Sequence, residues 1–180
     1  MATLTTLTID ANGTIGANVN KTSGDPYYQN CNDDPDSAST DHIENDASDT
    51  ATEAWFSLTD VDADFDSMDT FQIRVDGGVP FTPGGTVTLT ARIYDADNDT
   101  TNPLTSEETL MTELDSTSVL KNVTFSSLTG TKAQWNSAHV RFSWSNLAGF
   151  GQAEINGCDF DGTYTAAAGG STFIPYMTID

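Results

Sequence analysis

The sequence predicts an all-β protein, a single antiparallel β-sandwich that is jelly-roll-like and has about eight strands. Short segments alternate apolar with polar residues, which is the period of a strand with one buried face. Runs of Gly, Asp, Asn and Pro separate these segments, as they do between the strands of sandwiches. No stretch carries the 3.6-residue period of an amphipathic helix, so we expect at most one or two helical turns.

The clearest predicted strand covers residues 86–94, with Val87, Leu89, Ala91 and Ile93 on one face. The other predicted strands show the same alternation and cover residues 4–9, 54–59, 71–75, 110–114, 123–125, 140–144 and 153–165. The last of these changes phase at Asn156-Gly157, where a β-bulge would return its apolar residues to one face.

The length of 180 residues fits one domain. We assign residues 1–165 to the sandwich, with 1–9 as either an N-terminal arm or the first strand. Residues 166–180 are predicted to be a linker and a C-terminal arm. Four apolar side chains of that arm are the predicted partner-binding residues: Phe173, Ile174, Tyr176 and Met177. The alternative is that this segment folds back as an edge strand of its own sandwich, which Pro175 would allow.

The chain is strongly acidic, with 27 Asp and Glu, 6 Lys and Arg, and a formal net charge of −21. Such a surface has no basic face for nucleic acid and is repelled by anionic lipid, so neither partner is expected. No apolar run is long enough to cross a bilayer, and the first residues do not resemble a secretory leader.

Residues 23–52 form a long, polar and acidic segment near the N-terminus. Tyr27, Tyr28 and Ile43 lie within it and can anchor it to the core. We therefore predict an ordered, packed loop, since long loops in compact domains are often functional.

Two runs place aspartates at alternate positions, which is the pattern of many calcium loops. The first choice for a possible calcium site is Asp95, Asp97 and Asp99, which follow a strong strand. The second choice is Asp60, Asp62 and Asp64. Neither run is an EF-hand, and the alternative is that both are solvated loops in a very acidic protein.

We predict no catalytic residues and therefore no enzyme, with no cofactor required. His42 and His139 have no Ser or Cys nucleophile in a recognisable context, and Cys31 and Cys158 lack metal-type spacing. The two cysteines are expected to be thiols, with a single long-range disulfide as the alternative.

Aromatic residues offer a carbohydrate-stacking alternative, in which Trp55, Tyr27 and Tyr28 form the platform. The alternation places Trp55 outside, whereas Trp144 shares the phase of the core and Trp135 would cap one end of the sandwich.

Three arginines occupy the polar phase of predicted strands. Arg74, Arg92 and Arg141 are expected to pair with acids on neighbouring strands. A row of arginines at a subunit contact is the alternative.

Several runs resemble small β-sandwich structural proteins of phage virions. The resemblance rests on residues 27–37, 41–45, 71–75, 86–89, 135–142 and 162–164. The sequence departs from that pattern at Cys31, where an apolar residue is more usual. The resemblance implies a virion protein of the capsid decoration (cement) or fibre type.

Two functions follow as hypotheses. The first is a non-enzymatic capsid decoration protein that binds the major capsid protein as a homotrimer. It would assemble in the host cytoplasm and lie on the capsid surface of the virion. The alternative is a carbohydrate- or receptor-binding β-sandwich of a viral fibre or a bacterial protein.

Overall fold

Antiparallel β-strands make up nearly all of the regular secondary structure in a computed structural model that describes residues 1–32, 34–36, 41–46, 50–81, 85–112, 114, 119–149 and 151–168. Two short helical segments occur among these residues, a 3₁₀ helix at Tyr27–Asn30 and a four-residue helix α1 at Lys132–Trp135. The strands are β1 (Ala2–Thr3), β2 (Leu7–Ile15), β3 (Val19–Lys21), β4 (Ile43–Asn45), β5 (Thr52–Leu58), β6 (Phe65–Phe81), β7 (Thr86–Tyr94), β8 (Glu108–Thr112), β9 (Val119–Thr124), β10 (His139–Ala148) and β11 (Gln152–Ala166).

The strands form two sheets that share β2. In the first sheet, β9 pairs with β6, β6 with β11, and β11 with β1, with β4 and with the start of β2; β4 also pairs with β3. The second sheet has the order β2-β5-β10-β7-β8. Strand β2 pairs with β11 through Leu7 and Thr8 and then with β5 from Ile9 onward, so it passes from one sheet to the other.

The apolar faces of the two sheets meet in one core. Phe71 and Phe160 of the first sheet stack with ring centroids 5.6 Å apart, and Phe56 and Phe142 of the second lie 6.1 Å apart. All four rings are fully buried. The prediction of an all-β sandwich is confirmed. The predicted number of about eight strands is too low, because β1, β3 and β4 have only two or three residues and carry too little alternation to detect.

The longest pairing joins β6 and β11, whose register runs from Phe65↔Ala166 to Phe81↔Gln152. The register shifts between Ile155 and Gly157, where the sequence predicted a bulge. Beyond this shift Cys158 and Phe160 return to the core side with Ile155. The bulge prediction is therefore confirmed, and it lets one long strand keep a single apolar face.

The acidic segment is anchored as predicted. Ile43 is fully buried on β4, and Tyr27 and Tyr28 pack against the core from the 3₁₀ helix. Cys31 follows that helix, and its carbonyl oxygen accepts a 3.0 Å hydrogen bond from the backbone N–H of Cys158. Both thiols are buried and not joined in a disulfide, and burial raises the pKa of Cys158.

The structure describes the predicted N-terminal segment and only the beginning of the predicted C-terminal segment. Of the two alternatives for residues 1–9, the structure has the strand, since β1 pairs with β11 and β2 enters both sheets. Strand β11 continues through Ala166, and the N–H of Ala167 donates to the carbonyl of Asp64 at 2.7 Å. The predicted arm residues Phe173, Ile174, Tyr176 and Met177 lie outside the described residues. No helix in the described part of the chain is long and apolar enough to span a membrane.

Arg74 organises the acidic surface of the first sheet. Its Nε donates to Asp159 Oδ1 at 2.8 Å, and its Nη2 bonds the other oxygen of the same carboxylate. Asp36 accepts from Nη1 at 3.0 Å, and Asp161 and Asp34 lie within 3.9 Å of the guanidinium nitrogens. Asp159 is 6% exposed, and Asp159 and Asp36 raise the pKa of Arg74, with the Asp159 hydrogen bond as the largest cause. The expected pairing of Arg74 across strands is confirmed.

Replacing Arg74 is expected to destabilise the fold. Arg74→Met should lower the free energy of unfolding by about 3 kcal/mol, because the carboxylate of Asp159 would stay buried without its cation. Urea denaturation followed by circular dichroism measures the change. The double variant Arg74→Met/Asp159→Leu should recover much of the loss. A single variant as stable as the wild type would show that the pair does not hold the sheet surface together.

Candidate functional site: a threonine-lined cleft

A concave site of about 440 Å³ lies on the outer face of the first sheet. Clefts of roughly 300–1,000 Å³ are typical of small-molecule sites. Its polar lining consists of Thr3, Thr6, Thr70, Thr124, Thr163, Gln72 and Asp161. Leu4, Phe71 and Gly162 complete the lining. We call this site the threonine cleft.

Strand register explains why these polar side chains converge. Thr70 of β6 lies opposite Thr163 of β11, and Gln72 lies opposite both Asp161 of β11 and Thr124 of β9. Alternate residues of a strand point to the same face, so the two neighbouring positions on β6 and β11 present their side chains outward together. Three paired strands therefore fix five of the seven polar residues of the cleft.

Hydrogen bonds order the floor of the cleft. The hydroxyls of Thr70 and Thr163 are 2.8 Å apart, and Gln72 Nε2 donates to Asp161 Oδ1 at 2.9 Å. At Gly162 the two strands approach so closely that an added Cβ would lie 2.0 Å from the carbonyl oxygen of Thr70. Only glycine fits there, and the backbone itself forms part of the floor.

Residues 3–6, which we call the strap, form one wall. The N–H of Leu4 donates to the carbonyl of Gly162 at 3.0 Å. Thr5 donates to Asp62 through its N–H at 2.8 Å and through its hydroxyl at 2.6 Å. These bonds lower the pKa of Asp62. The strap is thus tied both to β11 and to the loop that precedes β6.

The chemistry of the cleft is that of hydrogen bonding. None of the ten described lining residues is basic, and the one aromatic lining residue, Phe71, is 0% exposed. Asp161 is the single carboxylate among them. The cleft therefore offers hydroxyls, an amide and one carboxylate, with no exposed ring for stacking.

Sequence reasoning missed this site. The alternation in residues 71–75 does place Gln72 outward, but several other polar residues satisfy the same pattern. What distinguishes Gln72 and Asp161 is the strap above them, and β1 is too short to predict. Polar residues at alternate positions, Thr70 and Gln72 on β6 and Asp161 and Thr163 on β11, were the available signal, and such alternation is common in any β protein with a solvated face.

Trp55 lies on the outer face of its sheet, as its alternation predicts, but the expectation that it is exposed is wrong. Its exposure is 0%. Its ring centroid is 5.0 Å from that of Tyr94, and the guanidinium of Arg141 lies over it at 5.9 Å. Period-2 patterning gives the face of a residue and not what covers that face. The buried ring offers no surface for stacking a ligand.

The two tyrosines that were predicted to stack against a sugar make other contacts, away from the threonine cleft. Tyr27 donates its hydroxyl to the carbonyl of Val19 at 3.1 Å and lies under the ammonium of Lys21. The N–H of Tyr28 donates to Asn12 Oδ1 at 2.8 Å. None of the three predicted stacking residues lines the threonine cleft.

The three aspartates of the first-choice calcium site accept hydrogen bonds from three different parts of the chain. Asp95 accepts from Gln134 at 3.1 Å, Asp97 accepts from the N–H and hydroxyl of Thr14, and Asp99 caps its own turn through Thr101.

In the second-choice run, Asp62 binds Thr5 and Asp64 accepts from the hydroxyl of Tyr164 at 2.5 Å. That bond raises the pKa of Tyr164 to about 12. No three His, Cys, Asp or Glu side chains of the described residues are grouped to hold a metal ion. Calcium binding stays a prediction.

Comparisons with known proteins add fold-level likenesses only. No protein-family model matches, and no curated protein matches. Three solved structures are similar. A truncated AlyQ with CBM32 and alginate lyase domains has a TM-score of 0.44 and 13% identity, covering 90% of this chain and 36% of that one.

The second is a pectin-binding carbohydrate-binding module, with a TM-score of 0.35 and 14% identity over 87% of this chain and 94% of that one. The third is the K3 adhesin domain of Lys-gingipain from Porphyromonas gingivalis, with a TM-score of 0.37 and 11% identity over 86% and 98%. This chain spans about a third of the first structure's length. None of the three is a virion protein, and we rest no functional argument on likenesses this distant.

A second polar cluster lies on β4 and β11. Glu44 and Glu154 are directly opposite each other, and His42 Nε2 is 3.9 Å and 3.7 Å from their carboxylates. Burial raises the pKa of both glutamates; His42 opposes this, while Glu154 adds to it at Glu44 and Asp76 adds to it at Glu154. The other histidine, His139, contacts the carbonyl of Ser137 through Nδ1 at 2.9 Å.

Removing the Glu44 charge is expected to stabilise the protein at neutral pH. A carboxyl whose pKa is raised on folding costs stability above that pKa and regains it as the pH falls. Glu44→Gln should therefore raise the melting temperature at pH 7 by an amount worth less than about 1 kcal/mol, because Glu44 is partly solvated. The gain should vanish near the pKa of an unfolded glutamate.

Asp66→Asn on the exposed start of β6 is the matched control, since it removes the same net charge. An equal gain from both variants would show that overall charge is responsible and that burial of Glu44 is not.

Proposed function

We propose that this protein is a non-catalytic carbohydrate-binding β-sandwich whose ligand occupies the threonine cleft. The observation that carries the proposal is the convergence of five threonine hydroxyls, Gln72 and Asp161 in one concave site of ligand size. A sugar is dense in hydroxyls that both donate and accept, so it matches such a lining.

The scaffold supports a preformed site. Five of the seven polar lining residues stand on β6, β9 and β11, and the strap that carries the other two is hydrogen-bonded to Gly162 and Asp62. Groups held on rigid strands lose little freedom when a ligand binds, and this favours affinity. Side chains on three neighbouring strands can contact several hydroxyls of one sugar ring.

Binding without turnover is favoured by the charges of the lining. Glycoside hydrolysis ordinarily needs two carboxyl groups that face each other across the scissile bond. Among the described lining residues Asp161 is the only carboxylate, and it is already bonded to Gln72. A single carboxylate can hold a sugar hydroxyl, but it does not make an acid–base pair.

The capsid decoration hypothesis has no comparable support in the described residues. The large apolar side chains exposed among them are Met1, Leu114 and Leu120. The proposed arm lies outside the described residues. Binding to a major capsid protein, a homotrimeric state and a location on the virion all stay untested predictions.

The proposal is tested by glycan-array screening of the whole chain, followed by calorimetry with the best ligand. Gln72→Ala and Thr124→Val should each weaken binding roughly five- to tenfold, the worth of about one hydrogen bond. Their melting temperatures should change little, because Thr124 is exposed and Gln72 half-buried.

Thr88→Val is the matched control, because it makes the same replacement on the outer face of the second sheet. It should leave affinity unchanged. Binding that survives both cleft variants, or that Thr88→Val weakens equally, would place the ligand elsewhere or make the binding non-specific.

A further inference from the structure

We infer that the threonine cleft takes a neutral sugar that donates adjacent hydroxyls to Asp161, and that it excludes acidic sugars such as uronates. The inference rests on the proposed function and names the class of ligand for the same site. It follows from the charges around the cleft and from the direction in which its hydrogen bonds must run.

The first argument is the electrostatics at the cleft. Asp161 lines it, and no described lining residue is basic. The nearest guanidinium on the same sheet face is that of Arg74, two residues along β6 from Gln72. It is already shared by Asp159, Asp161, Asp36 and Asp34. Four carboxylates around one cation leave this surface negative, so a ligand carboxylate would meet repulsion and no cationic partner.

The second argument is proton balance. An ionised carboxylate only accepts hydrogen bonds, and the Oδ1 of Asp161 already accepts one from Gln72. Its Oδ2 lies 3.8 Å from Arg74 Nε, and the acceptor positions that these contacts leave can take donors, which two adjacent sugar hydroxyls supply. A uronate has a carboxylate in place of one hydroxymethyl group, so it loses one donor and gains a charged group that only accepts hydrogen bonds.

The third argument is the field of the whole chain. A formal net charge of −21 repels a polyanion at a distance, before any contact forms. Salt screens this part, since the Debye length is about 10 Å at 0.1 M. Local repulsion at Asp161 is screened less, because ligand and carboxylate would be in contact.

The experiment compares neutral oligosaccharides with uronates of the same linkage by calorimetry. Two probe pairs are mannotetraose with tetramannuronate and cellotetraose with tetraglucuronate. The third pair is the neutral oligosaccharide that binds most tightly in the glycan screen and the corresponding uronate oligosaccharide. We expect the uronate of the binding series to be at least about tenfold weaker at low salt. Raising the salt from about 50 mM to about 500 mM should narrow the gap without closing it.

Asp161→Asn separates the local charge from the global one. The variant should bind the neutral ligand more weakly. It should also reduce the ratio between the affinities for the neutral ligand and for its uronate. Asp66→Asn removes one charge from an exposed position and should change neither quantity. A melting curve of each variant confirms that it is folded.

Two failures can be told apart. A uronate that binds as tightly as its neutral counterpart, or more tightly, overturns this inference and leaves the carbohydrate-binding proposal standing. If no neutral or acidic member of any series binds, and the glycan screen is empty, the proposed function itself fails and the inference fails with it.

Discussion

The pairing of β6 with β11 is the constraint on which the rest of the structure depends. These two strands run antiparallel along nearly all of their length and join β9 on one side to β1, β2 and β4 on the other. Their inward residues, Phe71 and Phe160 among them, form the centre of the core. Their outward residues form the threonine cleft, so one register fixes both. A slip of one residue would turn the inward residues of β11 outward and its outward residues inward. The bulge before Gly157 adds one residue to β11, so the apolar residues beyond it stay on the core side.

Scarcity of positive charge shapes the surface. With six basic side chains for 27 acids, the guanidiniums of Arg74 and Arg141 each lie against more than one carboxylate. Arg74 lies against four aspartates, two on β11 and two in the acidic loop. Arg141 bonds Glu107 and also covers Trp55 and Tyr94. The cations are thus used to hold strands and loops together, and the cleft is left with a negative lining. We propose that the distribution of charge that stabilises the sheet surface also selects among ligands.

The alternation of apolar and polar residues predicted the strands and the bulge, which depend on neighbouring residues of the chain. The alternation in residues 86–94 and 140–144 predicted two strands whose bounds lie within a few residues of those in the structure. The phase change at Asn156 predicted the bulge. Both predictions succeed because successive side chains of a strand point to opposite faces of the sheet. Covering layers and clefts depend on distant segments. Trp55 is buried by Tyr94 and Arg141 from other strands, and the cleft exists because the strap bonds Gly162 and Asp62. No pattern within one segment contains that information.

The most direct test of the account is to map a bound sugar onto the backbone by nuclear magnetic resonance. The neutral ligand identified by screening is titrated into isotopically labelled protein, and the shift of each amide signal is followed. The account predicts that the largest changes fall on the strap, on residues 70–72 and on residues 161–163, with β7 and β10 unaffected. Changes centred on the outer face of the second sheet, around Tyr94 and Arg141, would contradict it.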